Sequence, residues 1–186
     1  MSCVSLLKLK SLLSMLFLPR FHSMDRVFVC LVVMVAVYCA NSSAQETFFN
    51  RLTVDDGLPS SDVTKIIQDE RGFLWVGTLN GLARYDGYSF KLYKHSSYDN
   101  KSLIGNSVRY LFADKDGYIW IGTGSGLSVF NPVSETFTHY LHDPNDNNSL
   151  SHNVVNAITQ DEDGDMWVGT RNGLNLIDVK NNKITR

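Results

Sequence analysis

Carboxylates and imidazoles are the side chains of this sequence with the clearest capacity for chemistry. The acidic segment 161–165 suggests a calcium loop, since carboxylate oxygens are ligands that calcium prefers. The corresponding segments, however, carry Arg71 and Lys115, and the distal bidentate glutamate of a calcium loop is missing. Aspartates followed by glycine are typical of tight turns. We therefore expect turns here, with no metal and no cofactor.

The histidines with catalytic or metal-binding capacity are His95, His139, His142 and His152. His139 and His142 lie three residues apart, but no Asp or Glu accompanies them at a metal-binding spacing. A glycosidase or lyase needs convergent carboxylates or a metal, whereas the acids here recur in phase at turn positions. No nucleotide-binding glycine loop and no phosphoacceptor histidine is recognisable. The sequence predicts that this chain is not an enzyme.

One motif organises most of the chain and occurs three times. It reads Asp-x-x-Gly-x-x-Trp-(Val/Ile)-Gly-Thr-x-x-Gly-Leu. All tryptophans of the sequence occupy the same place in it, at Trp75, Trp120 and Trp167, with separations of 45 and 47 residues. A repeat of this period is typical of propeller blades or helical solenoids.

The pattern inside each copy favours blades. The glycine after the aspartate predicts a turn, and the short apolar run that follows predicts a strand buried on both faces. A second tight connection leads into another short β-like run, and two further runs flank this hairpin. We therefore predict an all-β chain, a β-propeller with about three four-stranded blades of an incomplete ring, at residues 63–93, 108–140 and 155–186.

The tryptophans and the glycines that follow them predict how blades pack together. Buried tryptophans in strands are usually core residues, so we expect packing and not sugar-stacking platforms. Gly77, Gly122 and Gly169 share the tryptophan's face of each strand and should leave room for a bulky group from the neighbouring blade.

The ends of this array should be incomplete. Residues 48–52 resemble an outer strand without its own inner strands, so we expect them to close a blade that is not in this sequence. The third blade should lack a cover, because its apolar side chains match those of the second: Met166, Val168, Leu174 and Leu176. We expect residues 45–186 alone to expose apolar patches and to self-associate, as the N-terminal fragment of a larger propeller.

The N-terminal stretch 1–44 lies outside the repeat and predicts a signal segment. The apolar run 27–40 follows Arg26 and leads to small residues with a plausible cleavage site after Ala44. Met24 is the expected natural start. Cys39 raises a lipoprotein alternative, but the bulky residue before it fits a lipidation site poorly.

We expect the mature polypeptide to begin near Gln45 and to lie in the periplasm, because the segment has the length and order of a secretory signal. N-terminal sequencing of membrane and soluble fractions checks this. An unprocessed precursor confined to the cytosol would contradict it. All cysteines, Cys3, Cys30 and Cys39, precede the cleavage site, which excludes a disulfide framework in the mature chain.

The net charge of the chain indicates which classes of partner to expect. The chain has 17 Lys and Arg against 19 Asp and Glu, a formal charge of −2, with no basic stripe. Nucleic acid is therefore an unexpected partner.

Candidate ligand-binding residues lie in loops that should share one face of the propeller. The loops between second and third strands, and those leading from one blade to the next, carry Asn80, Asn106, Ser125, His152, Arg171 and Asn172. Polar loop residues that differ from repeat to repeat beside a constant motif are typical of binding loops. An ordinary solvated turn remains the alternative for each of these residues.

The repeated motif resembles the two-component regulator propeller repeat over residues 48–186. The resemblance includes the segment Gly57-Leu58-Pro59-Ser60 before the motif, and an aromatic residue with an acid or Asn after it. The resemblance implies the periplasmic sensor part of a hybrid two-component histidine kinase, of the kind that regulates carbohydrate use. It implies as partners a small-molecule ligand such as an oligosaccharide, further blades, membrane and kinase domains of a longer protein, and a homodimer of that protein. Kinase activity would lie in domains outside this chain. The alternatives are a fragment of a propeller glycosidase or lyase, and a non-catalytic scaffold for protein contacts.

Overall fold

The computed structural model describes residues 49–186, which form three four-stranded antiparallel sheets. Each sheet is a blade whose strands pair in chain order, as the β-propeller prediction requires. Blade 1 contains β1 (Val63–Gln68), β2 (Leu74–Thr78), β3 (Gly81–Tyr85) and β4 (Phe90–Tyr93). Blade 2 contains β5 (Val108–Ala113), β6 (Ile119–Thr123), β7 (Leu127–Asn131) and β8 (Thr136–Tyr140). Blade 3 contains β9 (Val155–Gln160), β10 (Met166–Thr170), β11 (Gly173–Asp178) and β12 (Lys183–Thr185).

The strands form where the sequence is β-branched and aromatic, and they end where glycine provides positive φ. Gly117 has φ of 84° in the turn before β6, and Gly126 has φ of 149° in the turn before β7. Side chains other than glycine rarely adopt this region. The turn residues thereby hold β6 in register between β5 and β7, with Trp120 opposite both Phe112 and Val129.

Two apolar clusters hold the blades together. The cluster between blades 1 and 2 contains Trp75, Leu82, Leu103, Val108, Leu111, Ile119, Ile121 and Phe130. The cluster between blades 2 and 3 contains Trp120, Leu127, Leu150, Val155, Ile158, Met166, Val168, Ile177 and Ile184. Each combines the tryptophan-bearing face of one blade with the opposite face of the next. The prediction that all three tryptophans are core residues is confirmed for Trp75 and Trp120, which are buried, and wrong for Trp167, which is exposed.

Gly77 and Gly122 make room for the next blade, as predicted, whereas a Cβ at Gly169 would meet only Ala157 of its own blade, at 3.4 Å. A Cβ at Gly77 would lie 2.6 Å from Cγ1 of Val108, and one at Gly122 would lie 2.7 Å from Cγ1 of Val155. Both valines begin the first strand of the following blade. Side chains at these two glycines would therefore collide with the adjacent blade.

The tryptophan-bearing face of blade 3 is exposed. Trp167 is 36% exposed and Leu174 is 55% exposed, whereas their counterparts in blade 2 are buried. Part of the expectation for this face was wrong, because Met166 and Val168 are buried against blade 2. Side chains alternate along β10, so these two point away from the face that carries Trp167.

The segment before blade 1 contains a short 3₁₀ turn, Val54–Asp56. Leu58 follows it and covers the outer side of blade 1 by packing on Val76, Ala83 and Phe90. Residues 49–52 form no strand, so their predicted role as a closing strand stays a prediction. The predicted signal segment 1–44 and the first residue of that closing strand lie outside the described residues.

Candidate functional site

The six predicted binding residues lie in loops at one edge of the three blades. Thr78 pairs with both Val63 and Gly81, so the loop between β2 and β3 lies beside the start of β1. The same arrangement recurs in blades 2 and 3. A backbone hydrogen bond joins the two loops in each blade, from Leu79 to Asp62, from Gly124 to Ser107 and from Arg171 to Val154, at 3.2, 3.0 and 2.9 Å. We call this edge the loop edge.

The turn between the second and third strands has the same side-chain hydrogen bonds in all three blades. In blade 1, Oγ1 of Thr78 donates to the Gly81 carbonyl at 2.8 Å and accepts from the Asn80 amide at 3.1 Å. The equivalent threonines of blades 2 and 3 make the same two hydrogen bonds. Asn80, Ser125 and Asn172 therefore occupy one equivalent position, where the backbone amide of each is held by the threonine two residues earlier.

Three of the predicted residues keep their side chains free at this edge. Within residues 49–186, the side chains of Ser125, Arg171 and Asn172 make no hydrogen bond, and all three residues are exposed. Asn80 differs, because its Nδ2 donates to the Pro59 carbonyl at 3.2 Å. Ser125, Arg171 and Asn172 are thus the residues of the set that can bond a ligand without breaking an internal contact.

Asn106 and His152 are used by the loops themselves. Oδ1 of Asn106 accepts the His95 amide at 2.8 Å, and Nδ1 of His152 accepts the Val154 amide at 2.9 Å. The first contact recurs in the next loop, where Asn153 takes the place of Asn106. These two residues therefore shape the loop edge, and their side chains have less capacity left for a ligand.

The paired histidines are engaged in separate contacts. Nε2 of His139 donates to the Asn100 carbonyl at 3.2 Å, while its Nδ1 accepts from Oγ of Ser128 at 3.1 Å. Burial lowers the pKa of His139, which keeps the ring neutral. Nδ1 of His142 donates to the Leu150 carbonyl at 2.6 Å. In residues 49–186, no group of three His, Cys, Asp or Glu side chains is placed to hold a metal ion.

The repeating aspartates have a second role beside the predicted one in the turn. In blade 2, Oδ1 of Asp114 accepts the backbone amides of Asp116 and Tyr118, as expected of a turn residue. Its Oδ2 accepts Nε1 of Trp120 at 2.6 Å. The indole of Trp75 donates to Asp69 at 2.9 Å and that of Trp167 to Asp161 at 3.0 Å. The signal for this bond was the constant separation of six residues between aspartate and tryptophan in every copy.

The repeats match a known family. The two component regulator propeller model matches this chain at residues 57–80, 102–125 and 149–172, each time from the approach to a blade through its second strand. The repeats of this chain belong to the two-component regulator propeller family. Each matched repeat therefore contains the first two strands of one blade.

Two relatives show where such propellers occur. The chain is 37% identical over 82 residues to Histidine kinase P4 of Formosa agariphila, a match that covers 43% of this chain and 6% of that protein. The crystal structure of the extracellular domain of the hybrid two component system BT3049 from B. thetaiotaomicron has a TM-score of 0.70 and 33% identity to this propeller chain. The matched region covers 74% of this chain and 20% of the BT3049 domain. The chain thus spans a small part of either relative's length.

Within residues 49–186, no helix is both long and apolar enough to cross a membrane.

Proposed function

We propose that this chain is a ligand-sensing segment of a two-component signal receptor, placed outside the cytoplasm, and that its ligand is a carbohydrate. The support for sensing is the regulator propeller repeat, together with a relative named a histidine kinase and a similar extracellular domain of a hybrid two component system. Fold alone would not assign a function, since propellers serve many. Signal output would belong to other domains of the full-length protein.

The loop edge is the proposed binding surface. Its free polar side chains, Ser125, Arg171 and Asn172, project from hydrogen-bonded turns of two successive blades. Hydroxyl, amide and guanidinium groups are donors and acceptors that match the hydroxyl groups of a sugar. Hydrogen-bonded turns that present side chains without internal partners are the observation that supports this surface.

Replacing Arg171 or Asn172 with alanine is expected to weaken binding at least about tenfold, since each removes hydrogen bonds worth about 1–3 kcal/mol to a desolvated ligand. Calorimetry of the full-length protein with a panel of neutral and acidic oligosaccharides provides the measurement. Glu70→Ala, an exposed change in a turn at the opposite edge, is the control and should leave affinity unchanged.

Two results would contradict parts of this proposal. Unchanged affinity in both loop variants would remove the loop edge as the binding surface. Absence of binding by every oligosaccharide would remove carbohydrate as the ligand class. Chromatography of the same mixtures after incubation would detect a glycosidase or lyase, which would replace sensing by catalysis.

A further inference from the structure

A cavity of about 590 Å³ lies between blades 2 and 3, at the edge opposite the loop edge. It lies beside the turn that precedes β6, and its lining residues are Asp114, Asp116, Tyr118, Trp120, Val129, Thr138, Tyr140 and Val179. We call it the aromatic cavity. Its volume falls within the range of about 300–1,000 Å³ that is usual for small-molecule pockets. Nothing in the proposed sensing site at the loop edge requires it.

The equivalent space between blades 1 and 2 is filled by the side chain of Arg84. The guanidinium carbon of Arg84 lies 4.7 Å from the centre of the Phe73 ring and 5.8 Å from the centre of the Trp75 ring. Its Nη1 lies 3.6 Å from a carboxylate oxygen of Glu135. A guanidinium between aromatic faces and a carboxylate is a favourable cation–π arrangement.

A second cation completes that arrangement. Nζ of Lys91 lies 2.7 Å from Oε2 of Glu135 and 5.6 Å from the centre of the Tyr93 ring. This hydrogen bond lowers the pKa of Glu135, so the carboxylate stays charged. Arg84 and Lys91 therefore share Glu135 as their counter-ion in the junction between blades 1 and 2, which we call the first junction.

Blade 2 has aromatic residues at the positions of the three rings of blade 1 but no cationic residues at the positions of its cations. By the repeat offsets of 45 and 47, Tyr118 matches Phe73, and Trp120 and Tyr140 match the other two rings of the first junction. The cationic positions are replaced: Arg71 by Asp116, Arg84 by Val129 and Lys91 by Thr138. The space that Arg84 occupies in the first junction corresponds to the aromatic cavity in the second.

The charge around the aromatic cavity is complementary to a cation. Asp114 and Asp116 line it, and an adjoining cavity of about 280 Å³ adds Glu162 and Asp163 to the same side. Two lysines also line the adjoining cavity. Nζ of Lys115 donates to the Asp161 carbonyl at 3.0 Å, and Nζ of Lys180 contacts the Asp163 carbonyl at 3.4 Å. Carboxylates thus outnumber ammonium groups around the two cavities.

We infer that the aromatic cavity binds a small molecule carrying a guanidinium group. The group would take the place that Arg84 takes between blades 1 and 2, against the rings of Tyr118 and Trp120, with Asp116 as its counter-ion. Guanidinium is planar and weakly hydrated, which suits a site between aromatic rings better than a compact ammonium. The rest of the ligand would lie over Val129 and Thr138.

Butylguanidinium is the probe, and butylurea, which has nearly the same shape without the charge, is its control. Calorimetry on the full-length protein should show at least about tenfold tighter binding of butylguanidinium, a difference of about 1.4 kcal/mol. A blocked Gly-Arg-Gly peptide tests the source of the group. Tighter binding of the peptide than of butylguanidinium would assign an arginine side chain as the ligand.

Val129→Arg rebuilds the side chain of the first junction inside the cavity and should reduce butylguanidinium binding at least about tenfold. Asp116→Asn removes the exposed counter-ion with little change in side-chain size. It should weaken butylguanidinium binding several-fold and leave butylurea binding unchanged. Glu70→Ala is the control for a lost surface carboxylate. Equal binding of the two probes by the unmodified protein, or unchanged butylguanidinium binding in both cavity variants, would overturn the inference.

Discussion

Replacing Trp120 with alanine is expected to lower the free energy of unfolding by about 3–5 kcal/mol. The indole is 2% exposed and packs between blades 2 and 3. Its removal leaves a cavity at that junction and deprives Oδ2 of Asp114 of its indole donor. Urea denaturation followed by circular dichroism, at protein concentrations low enough to suppress association, measures the loss.

Trp167→Ala is the matched control, because Trp167 occupies the same place in the motif and bonds the equivalent aspartate. Its indole is 36% exposed in this chain, so the loss should be less than half that of Trp120→Ala. Trp120→Phe keeps an aromatic ring at this position but removes the indole donor. Equal losses for the two alanine variants would show that contact between blades contributes little to stability.

Replacing Gly122 with alanine is expected to lower the free energy of unfolding by about 1–3 kcal/mol, although alanine suits a strand better than glycine in isolation. The new methyl group would lie 2.7 Å from Cγ1 and 3.2 Å from Cβ of Val155. Val155 is fully buried and β-branched, so it has little freedom to move away. The same denaturation experiment measures the effect.

A double-mutant cycle isolates this collision. Val155→Ala removes the colliding methyl groups, so Gly122→Ala should cost at least about 1 kcal/mol less in that background. Gly169→Ala is the positional control, because its nearest neighbour would be Cβ of Ala157 at 3.4 Å, and the change should stay within about 0.5 kcal/mol. Additive losses at Gly122 and Val155 would contradict close packing of blade on blade.

The effects expected at Trp120 and Gly122 have one cause, the packing of each blade on the next. The tryptophan, the glycine two residues later and the valine that starts the next blade form one repeated contact. A repeat that buries its apolar face only against a neighbour gains stability from each junction. For this reason the consequences of a substitution depend on which junction the residue faces, and not on its place in the motif alone.

The candidate site was predictable in location but not in detail. Loop lengths and strand order bring Asn80, Ser125 and Arg171 to one edge, which the repeat alone allows one to predict. The sequence does not show which side chains stay free, because that depends on contacts across loops. Oδ1 of Asn106 is occupied by an amide eleven residues earlier in the chain, a pairing that only the folded loop creates.

The sequence by itself determined the number of repeats, the four strands of each blade and the turns between them. These features follow from local spacing, since glycine at a turn and alternation along a strand act over a few residues. Tertiary structure decided which apolar side chains face a neighbour, as the burial of Met166 and the exposure of Leu174 show. The sequence shows that Val129 stands where blade 1 has Arg84, but only tertiary structure decided that this replacement leaves a cavity, because Val179 of blade 3 lies across it.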